Sequence, residues 1–77
     1  MNQISLKMKR VVLKVERKDI DYIRNTLESY DGMALVRTID PSKALVEVYI
    51  APKCEVFVKE LIESLKKEGL NLVEYEG

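Results

Sequence analysis

The side chains with the clearest chemical potential are one thiol and a few carboxylates. Cys54 follows Lys53 at the start of a segment with helical spacing, and there the helix dipole and the cation both favour a thiolate. The sequence has no histidine, which excludes a Cys-His nucleophile, a histidine general base and a zinc site with imidazole ligands. One thiol is also too few for a structural zinc. We expect Cys54 to be an unreactive, helix-capping or partly buried residue.

Carboxylates could perform acid-base catalysis, and the candidates are Asp31, Asp40 and Glu47. Surface carboxylates usually serve only solvation, so an enzyme is the weakest of the alternatives. The sequence also lacks a glycine-rich phosphate loop. We therefore expect no enzymatic activity, no metal site and no bound cofactor.

Six segments must position these residues, in the order strand, helix, strand, strand, helix, strand. Alternation and β-branched residues identify the strands, whereas apolar residues three or four positions apart identify the helices. The segments span residues 6–16, 18–30, 33–40, 44–51, 53–70 and 71–75.

Each predicted helix carries one apolar face and has a glycine near its end. The first face consists of Ile20, Ile23, Leu27 and Tyr30. The second consists of Val58, Leu61, Ile62 and Leu65. Gly32 and Gly69 can adopt the left-handed conformation that commonly follows a helix.

The order of the segments predicts an α+β, ferredoxin-like fold, the βαββαβ two-layer sandwich. Both strand-helix-strand units are long enough for a right-handed crossover. The usual arrangement is an antiparallel four-stranded sheet in the order 4-1-3-2, with two helices on one face and the other face open. The open face is therefore where we expect function to lie.

Length and charge bound the possibilities further. The chain has 77 residues and a formal net charge of +0 at pH 7. We expect a single domain over residues 1–77, with residues 1–5 disordered. The amino-terminal residues lack the apolar run of a signal peptide and no segment approaches a membrane span, so we expect a cytoplasmic protein without membrane contact. The richness in Lys, Glu, Ile and Val is typical of thermophilic proteins.

Arg37 decides which way the second strand faces. In the third strand Val46, Val48 and Ile50 form an apolar row that should face the helices. Turning Arg37 to the same side would bury an unpaired guanidinium at a cost of several kcal/mol, so we expect it on the open face. The core row of the second strand is then Ala34, Val36 and Thr38.

This orientation of Arg37 requires an irregular connection between the second and third strands. An even loop at residues 40–43 places Arg37 on the same face as Val46, and a slip of one residue exchanges the two faces. We therefore predict a bulge or an odd loop at this position.

Alternation also predicts a row of charges across the open face, with Lys14 on the first strand and Glu74 on the fourth. In spatial order the row is Glu74, Lys14, Glu47 and Arg37, so the signs alternate. One interpretation is an ordinary solvated ladder, in which each cross-strand pair contributes about 0.2 to 1 kcal/mol. The other is the polar centre of a self-complementary interface, where each acid meets a base of a twofold-related copy.

Apolar residues around this row would form a patch that soluble monomers seldom expose. The candidate interface residues are Val12, Lys14, Leu35, Arg37, Leu45, Glu47, Tyr49 and Glu74. We expect a homo-oligomer, a dimer or higher, and a small-molecule ligand is a further hypothesis. The alternative is an interaction subunit whose open face is covered by another protein.

Nucleic acid is not an expected partner, although RNA-recognition domains share this strand order. The first strand has no aromatic residue, and the third offers only Tyr49 for stacking. The zero net charge also removes the electrostatic attraction that drives most binding to nucleic acid.

The segment DIDYIRNTLESYDGMALVRTIDP, residues 19–41, resembles a small uncharacterised bacterial family of stand-alone domains. In that family a helix ending in Tyr-Asp-Gly or similar runs into a Val-x-Thr-Val-Asp strand. The family has no assigned activity and is similar in fold to the ACT domain of amino-acid regulatory proteins. The resemblance implies a domain that pairs with a copy and binds a small ligand beside the turn after the first strand. Here that turn, residues 16–19, lacks the glycine that usually lets a ligand approach the backbone.

Overall fold

The strands and helices follow the predicted order in a computed structural model that describes residues 8–30 and 32–75. The elements are β1 (Lys9–Val15), a 3₁₀ turn (Arg17–Asp19), α1 (Ile20–Leu27), β2 (Ala34–Asp40), β3 (Leu45–Ile50), α2 (Glu55–Lys67) and β4 (Leu72–Glu74). The strand order is β2-β3-β1-β4 and every neighbouring pair is antiparallel, which confirms the predicted ferredoxin-like order read from the other edge. Residues 1–5, for which disorder is predicted, lie outside the described residues.

Both helices pack against one face of the sheet, called the helix face below. Its most completely buried side chains are Ile23 and Leu27 of α1, Val46 and Val48 of β3, and Val58 and Leu65 of α2. Burial of each such side chain contributes roughly 1.5–3 kcal/mol. The predicted core residues Ala34 and Val36 of β2 belong to the same cluster. Within the residues described, neither helix has the length and apolar character needed to cross a membrane.

Helix α1 ends at Leu27, earlier than predicted. The hydroxyl of Ser29 donates to the carbonyl oxygen of Thr26 at 2.7 Å, and the Ser29 N–H donates to the same oxygen at 3.3 Å. Such local bonds compete with the continued helix. The prediction that Tyr30 lies on the buried helix face is therefore wrong. Its side chain is 46% exposed, and its ring meets that of Phe57 edge-on with 5.0 Å between centroids.

Both predicted glycines adopt positive φ, +76° at Gly32 and +99° at Gly69. Gly32 lies in the turn before β2, beyond the end of α1, whereas Gly69 directly ends α2. The N–H of Gly69 donates to Lys66 O at 3.0 Å and the N–H of Leu70 donates to Leu65 O at 3.2 Å. This is the Schellman pattern, which satisfies the last carbonyls of a helix. Leu70 also packs against the core and directs the chain toward β4.

A bulge near the end of β2 sets the face of Arg37. Arg37 lies opposite Glu47, and the register shifts between Thr38 and Asp40. The predicted irregularity is therefore present. Without it, the even loop would turn Arg37 to the helix face, where a guanidinium would lose its contact with water.

The side chains of strand β4 lie on the opposite faces of the sheet from those predicted. Leu72 pairs with Val15 and Glu74 pairs with Leu13, so Leu72 and Glu74 lie on the helix face and Val73 lies on the other. Leu72 is 3% exposed and belongs to the core. The prediction of Glu74 on the open face is wrong because this short strand is oriented by the burial of Leu72, and Glu74 shares its side.

Candidate functional site

The sheet face opposite the helices is called the open face. Tyr75 continues the pairing of β4 with β1 by one residue, because its N–H donates to Val12 O at 2.8 Å. Its side chain therefore lies on the open face. The open face carries the side chains of Arg10, Val12, Lys14, Leu35, Arg37, Ile39, Asp40, Leu45, Glu47, Tyr49, Val73 and Tyr75. It therefore includes every predicted interface residue except Glu74.

A carboxylate with two guanidinium partners occupies the centre of the open face. Arg10 Nε donates to Glu47 Oε2 at 2.6 Å, and Arg37 Nε lies 3.5 Å from Glu47 Oε1. These residues, Arg10, Arg37 and Glu47, are called the Glu47 cluster. The hydrogen bond to Glu47 raises the pKa of the Arg10 guanidinium above its ordinary value. Each carboxylate oxygen thus has its own cationic partner.

The burial within the Glu47 cluster is uneven. The Glu47 side chain is 5% exposed, whereas those of Arg10 and Arg37 are 51% and 72% exposed. Glu47 lies on the inner strand β3 between β1 and β2, so long arginine side chains from both neighbours can extend over it. The carboxylate is consequently shielded from water by flexible cations whose other donors remain exposed.

The predicted charge row forms only in part. Glu47 and Arg37 face each other as predicted, but Lys14 lies opposite Leu45 and its Nζ donates to Lys43 O at 3.0 Å. Arg10 is the partner that sequence reasoning missed. Arg10 alternates with Val12 and Lys14, so the sequence places it on the open face of β1. From there its long side chain reaches Glu47, a diagonal neighbour on β3.

Glu74 lines a groove elsewhere, between α2 and the strands β1 and β4. The groove has a volume of about 300 Å³, an apolar floor that includes Leu13 and Ile62, and a rim that includes Lys59. Glu74 is therefore separated from the Glu47 cluster by the thickness of the sheet.

Apolar side chains surround the Glu47 cluster on the outer strands. Leu35 is 58% exposed and Ile39 39% exposed on β2, while Val73 and Tyr75 are 61% and 40% exposed at the other edge. Leu45, predicted to be part of the same exposed surface, is only 7% exposed, since it lies on the inner strand β3 opposite Lys14. The apolar surface is thus concentrated at the edges of the open face rather than at its centre.

The charge balance of the open face differs from that of the whole chain. Its basic residues are Arg10, Lys14 and Arg37, and its acids are Glu47 and Asp40, which lies opposite Leu45. A chain of formal net charge +0 therefore presents a positive surface here. Such a surface attracts acidic groups and repels an identical surface, with a strength that depends on salt.

Cys54 is found at the start of the second helix, as the sequence predicts. It lies at the N-cap of α2 without a side-chain capping bond, and it packs partly buried against the core. Of the two predicted alternatives, a helix-capping or a partly buried residue, the structure supports the second. Within residues 8–30 and 32–75, no three Cys, Asp or Glu side chains converge to hold a metal ion.

Comparison with known proteins identifies a family but no activity. A family model described as a domain of unknown function, DUF4911, matches residues 13–68. The match covers β1 from Leu13 onward and extends through α2, and so includes most of the open face. No curated protein and no solved structure gives a significant match.

Proposed function

We propose that this chain, which belongs to the DUF4911 family of domains of unknown function, is a non-enzymatic module. It covers its open face with a second copy. Pairing is also what the resemblance to ACT-like domains implies. The occupant to which we commit is an identical chain, because the surface joins exposed apolar edges to a centre whose carboxylate is already paired.

The observation that carries this proposal is the state of Glu47. Its carboxylate is 5% exposed without any covering layer, so a second surface can cover the Glu47 cluster without first desolvating an unpaired acid. The apolar side chains of Leu35 and Val73, 58% and 61% exposed, then provide the area whose burial drives association.

The size of the molecule is compatible with this use. The chain measures 35 × 24 × 20 Å, and a standard protein interface buries about 800 Å² per partner. The exposed arginines also suit an interface, because arginine is enriched at interfaces and can stack on aromatic rings.

The experiment that tests self-association is the mass of the purified chain by sedimentation equilibrium, from micromolar to millimolar concentration. We expect a reversible dimer of the 8.9 kDa chain. We also expect the Leu35→Lys variant to be monomeric at concentrations where the parent is dimeric, because it removes exposed apolar area and adds a like charge to the open face.

A matched control is Val56→Lys. Val56 lies on α2 and is 72% exposed, so this substitution adds the same charge and removes a similarly exposed apolar side chain away from the open face. We expect this variant to dimerise like the parent. A parent that stays monomeric throughout, or a Val56→Lys variant as monomeric as Leu35→Lys, would contradict the proposal.

A second candidate function is docking to an acidic partner protein, and the positive charge of the open face favours it. Arg10, Lys14 and Arg37 would then meet carboxylates of the partner. The parent chain would be monomeric in this case, and its melting temperature would rise when the partner binds. The mass measurement therefore separates the two candidates before any partner is known.

A further inference from the structure

Two loops lie side by side at one end of the sheet and border an open cleft. The first joins β1 to α1 and the second, residues 41–44, joins β2 to β3. Val15 N–H donates to Ala44 O at 3.0 Å, and Lys14 Nζ donates to Lys43 O at 3.0 Å, so the loops are tied to each other. The cleft between them has a volume of about 380 Å³.

Basic side chains dominate the lining of this cleft. They are Lys14, Arg17, Lys18 and Lys43. Glu16 is the one acidic residue of the lining, and its Oε2 accepts a hydrogen bond from Asn71 Nδ2 at 3.2 Å. A neutral chain thus concentrates exposed positive charge at this point, and such a surface attracts anions.

Two acids close in sequence to the cleft, Asp40 and Asp19, already have partners, and the partner of Asp19 is Lys18 of the lining. Asp40 Oδ1 accepts from Ser42 Oγ at 2.8 Å and from the N–H groups of Ser42 and Lys43 at 3.1 and 3.2 Å. Asp19 lies 3.8 Å from Lys18 Nζ, whose side chain is 79% exposed and can swing into solvent. Among the residues described, Arg17 and Lys43 form no ion pair within the 4.0 Å limit.

We propose that this cleft binds a small molecule that carries a diphosphate group. Adjacent phosphates can contact both loops at once, and their oxygens suit the guanidinium and ammonium donors of Arg17 and Lys43. The lining contains no aromatic residue, so the phosphates rather than a base are recognised. This ligand site goes beyond self-association, and of its basic residues only Lys14 is shared with the open face.

The test uses inorganic diphosphate as the probe, with the melting temperature and calorimetric binding measured against sodium chloride of equal ionic strength. We expect saturable binding of diphosphate and about tenfold weaker binding of orthophosphate, since a single phosphate cannot contact both loops. If diphosphate and chloride of equal ionic strength had the same effect, the proposal would be overturned. The effect of diphosphate would then be only the general screening of charges by salt.

Two charge-matched variants locate the site. The double variant Arg17→Gln/Lys43→Gln removes one cation from each loop, and we expect it to bind diphosphate about tenfold more weakly than the parent. The control Arg24→Gln/Lys67→Gln removes the same residue types from the helices, and we expect unchanged binding. Equal weakening in both variants would place the anion elsewhere and contradict the cleft. None of these four residues lies on the open face, so failure of dimerisation and failure of ligand binding are separate results.

Discussion

At the residue scale, Glu47 illustrates that position in the sheet, rather than residue type, determines burial. It lies on a strand with neighbours on both sides, and two arginines extend over it, so 5% of its side chain remains exposed. Both arginines stay more than half exposed, and the cluster therefore keeps its cations available for contacts. The Glu47 carboxylate is thus buried but already paired with two bases. The proposed interface depends on this pairing.

Asp40 gives a prediction for pH dependence. The hydroxyl of Ser42, followed by the N–H of Lys43, lowers the pKa of Asp40 below its ordinary value. A lowered folded-state pKa contributes stability that is present above the unfolded pKa, about 3.9, and is lost as pH falls through the folded value. We therefore expect Asp40→Asn to lower the melting temperature at pH 7 and to lose this disadvantage as the pH falls through the lowered folded-state pKa.

Thermal melts of the parent and Asp40→Asn across the acid range check this prediction. The control Glu60→Gln removes one carboxylate from the exposed surface of α2, away from this turn. A difference between the parent and Asp40→Asn that stays constant down to the lowest pH would show that the carboxylate charge has no role in the turn.

Lys53 gives a second prediction at this scale. Its φ is +72°, and it follows Pro52 in a turn closed by a hydrogen bond from Cys54 N to Ala51 O at 3.1 Å. Proline followed by a residue with positive φ is the pattern of a type II turn, which favours glycine at the second central position. We expect Lys53→Gly to stabilise the chain by about 0.5 to 1 kcal/mol, because relief of the strained backbone exceeds the entropy that glycine adds to the unfolded chain.

Urea unfolding measures this effect, with Lys59→Gly as the matched control. Lys59 lies inside α2, where glycine lowers stability by about 1 kcal/mol. Opposite signs for the two variants are expected. Destabilisation by both would show that the side chain of Lys53 contributes more than its backbone strain costs.

At the scale of the elements, the sequence predicts what repeats regularly and misses what depends on one local contact. The order of the strands and helices follows from their periodicity, and the bulge before Asp40 follows from the need to keep Arg37 in water. The early end of α1 depends on hydrogen bonds from Ser29, and the parity of β4 depends on the burial of Leu72. Leu72 and Val73 are adjacent apolar residues that point to opposite faces of the sheet. The sequence alone therefore does not decide which of the two faces the core.

The site is less predictable than the fold because it joins residues distant in the sequence. Glu47 and Arg37 are direct neighbours across two strands, so alternation is sufficient to find them. The contact of Arg10 with Glu47 is diagonal, and the basic cleft exists because Val15 and Ala44 tie two loops together. The alternation of β1 places Arg10 on the open face but does not identify its diagonal partner, and the contact between the two loops leaves no periodic signal along the chain.

The edge strand β2 carries a further prediction. Glu28, just after α1, accepts a hydrogen bond from the N–H of Val36 at 2.8 Å. This N–H lies on the outer edge of β2, where it would otherwise be available to pair with another strand. We expect Glu28→Ala to raise the hydrogen exchange rate of the Val36 amide by about tenfold and to lower stability by about 0.5 to 1.5 kcal/mol.

Amide exchange followed by NMR checks this prediction, and Glu28→Gln is the control because its side-chain oxygen still accepts the bond. We expect protection of Val36 to persist in Glu28→Gln. Increased aggregation of Glu28→Ala alone would show that the carboxylate also guards the edge against pairing. Unchanged exchange at Val36 in Glu28→Ala would mean that the bond gives no protection in solution.

At the scale of the whole molecule, the helix face and the open face of the sheet have different roles. The helix face buries the core residues that make the fold, so the open face contributes little to folding and is available for association. The exposed apolar edges favour a second copy, whereas the bases Arg10, Lys14 and Arg37 oppose it by like charge. The balance between these terms can be changed without mutation, because salt weakens repulsion between exposed charges and leaves apolar burial in place.

The last prediction follows from this balance. Salt shortens the Debye length from about 10 Å at 0.1 M to about 3 Å at 1 M, so we expect the dimer of the parent chain to tighten as sodium chloride is added. An Arg37→Gln variant lowers the positive charge of the open face, and its dimer should depend less on salt. Sedimentation equilibrium at low and high salt measures both. An association that weakens with salt would instead indicate attraction between opposite charges, which the open face offers to an acidic partner and not to its own copy.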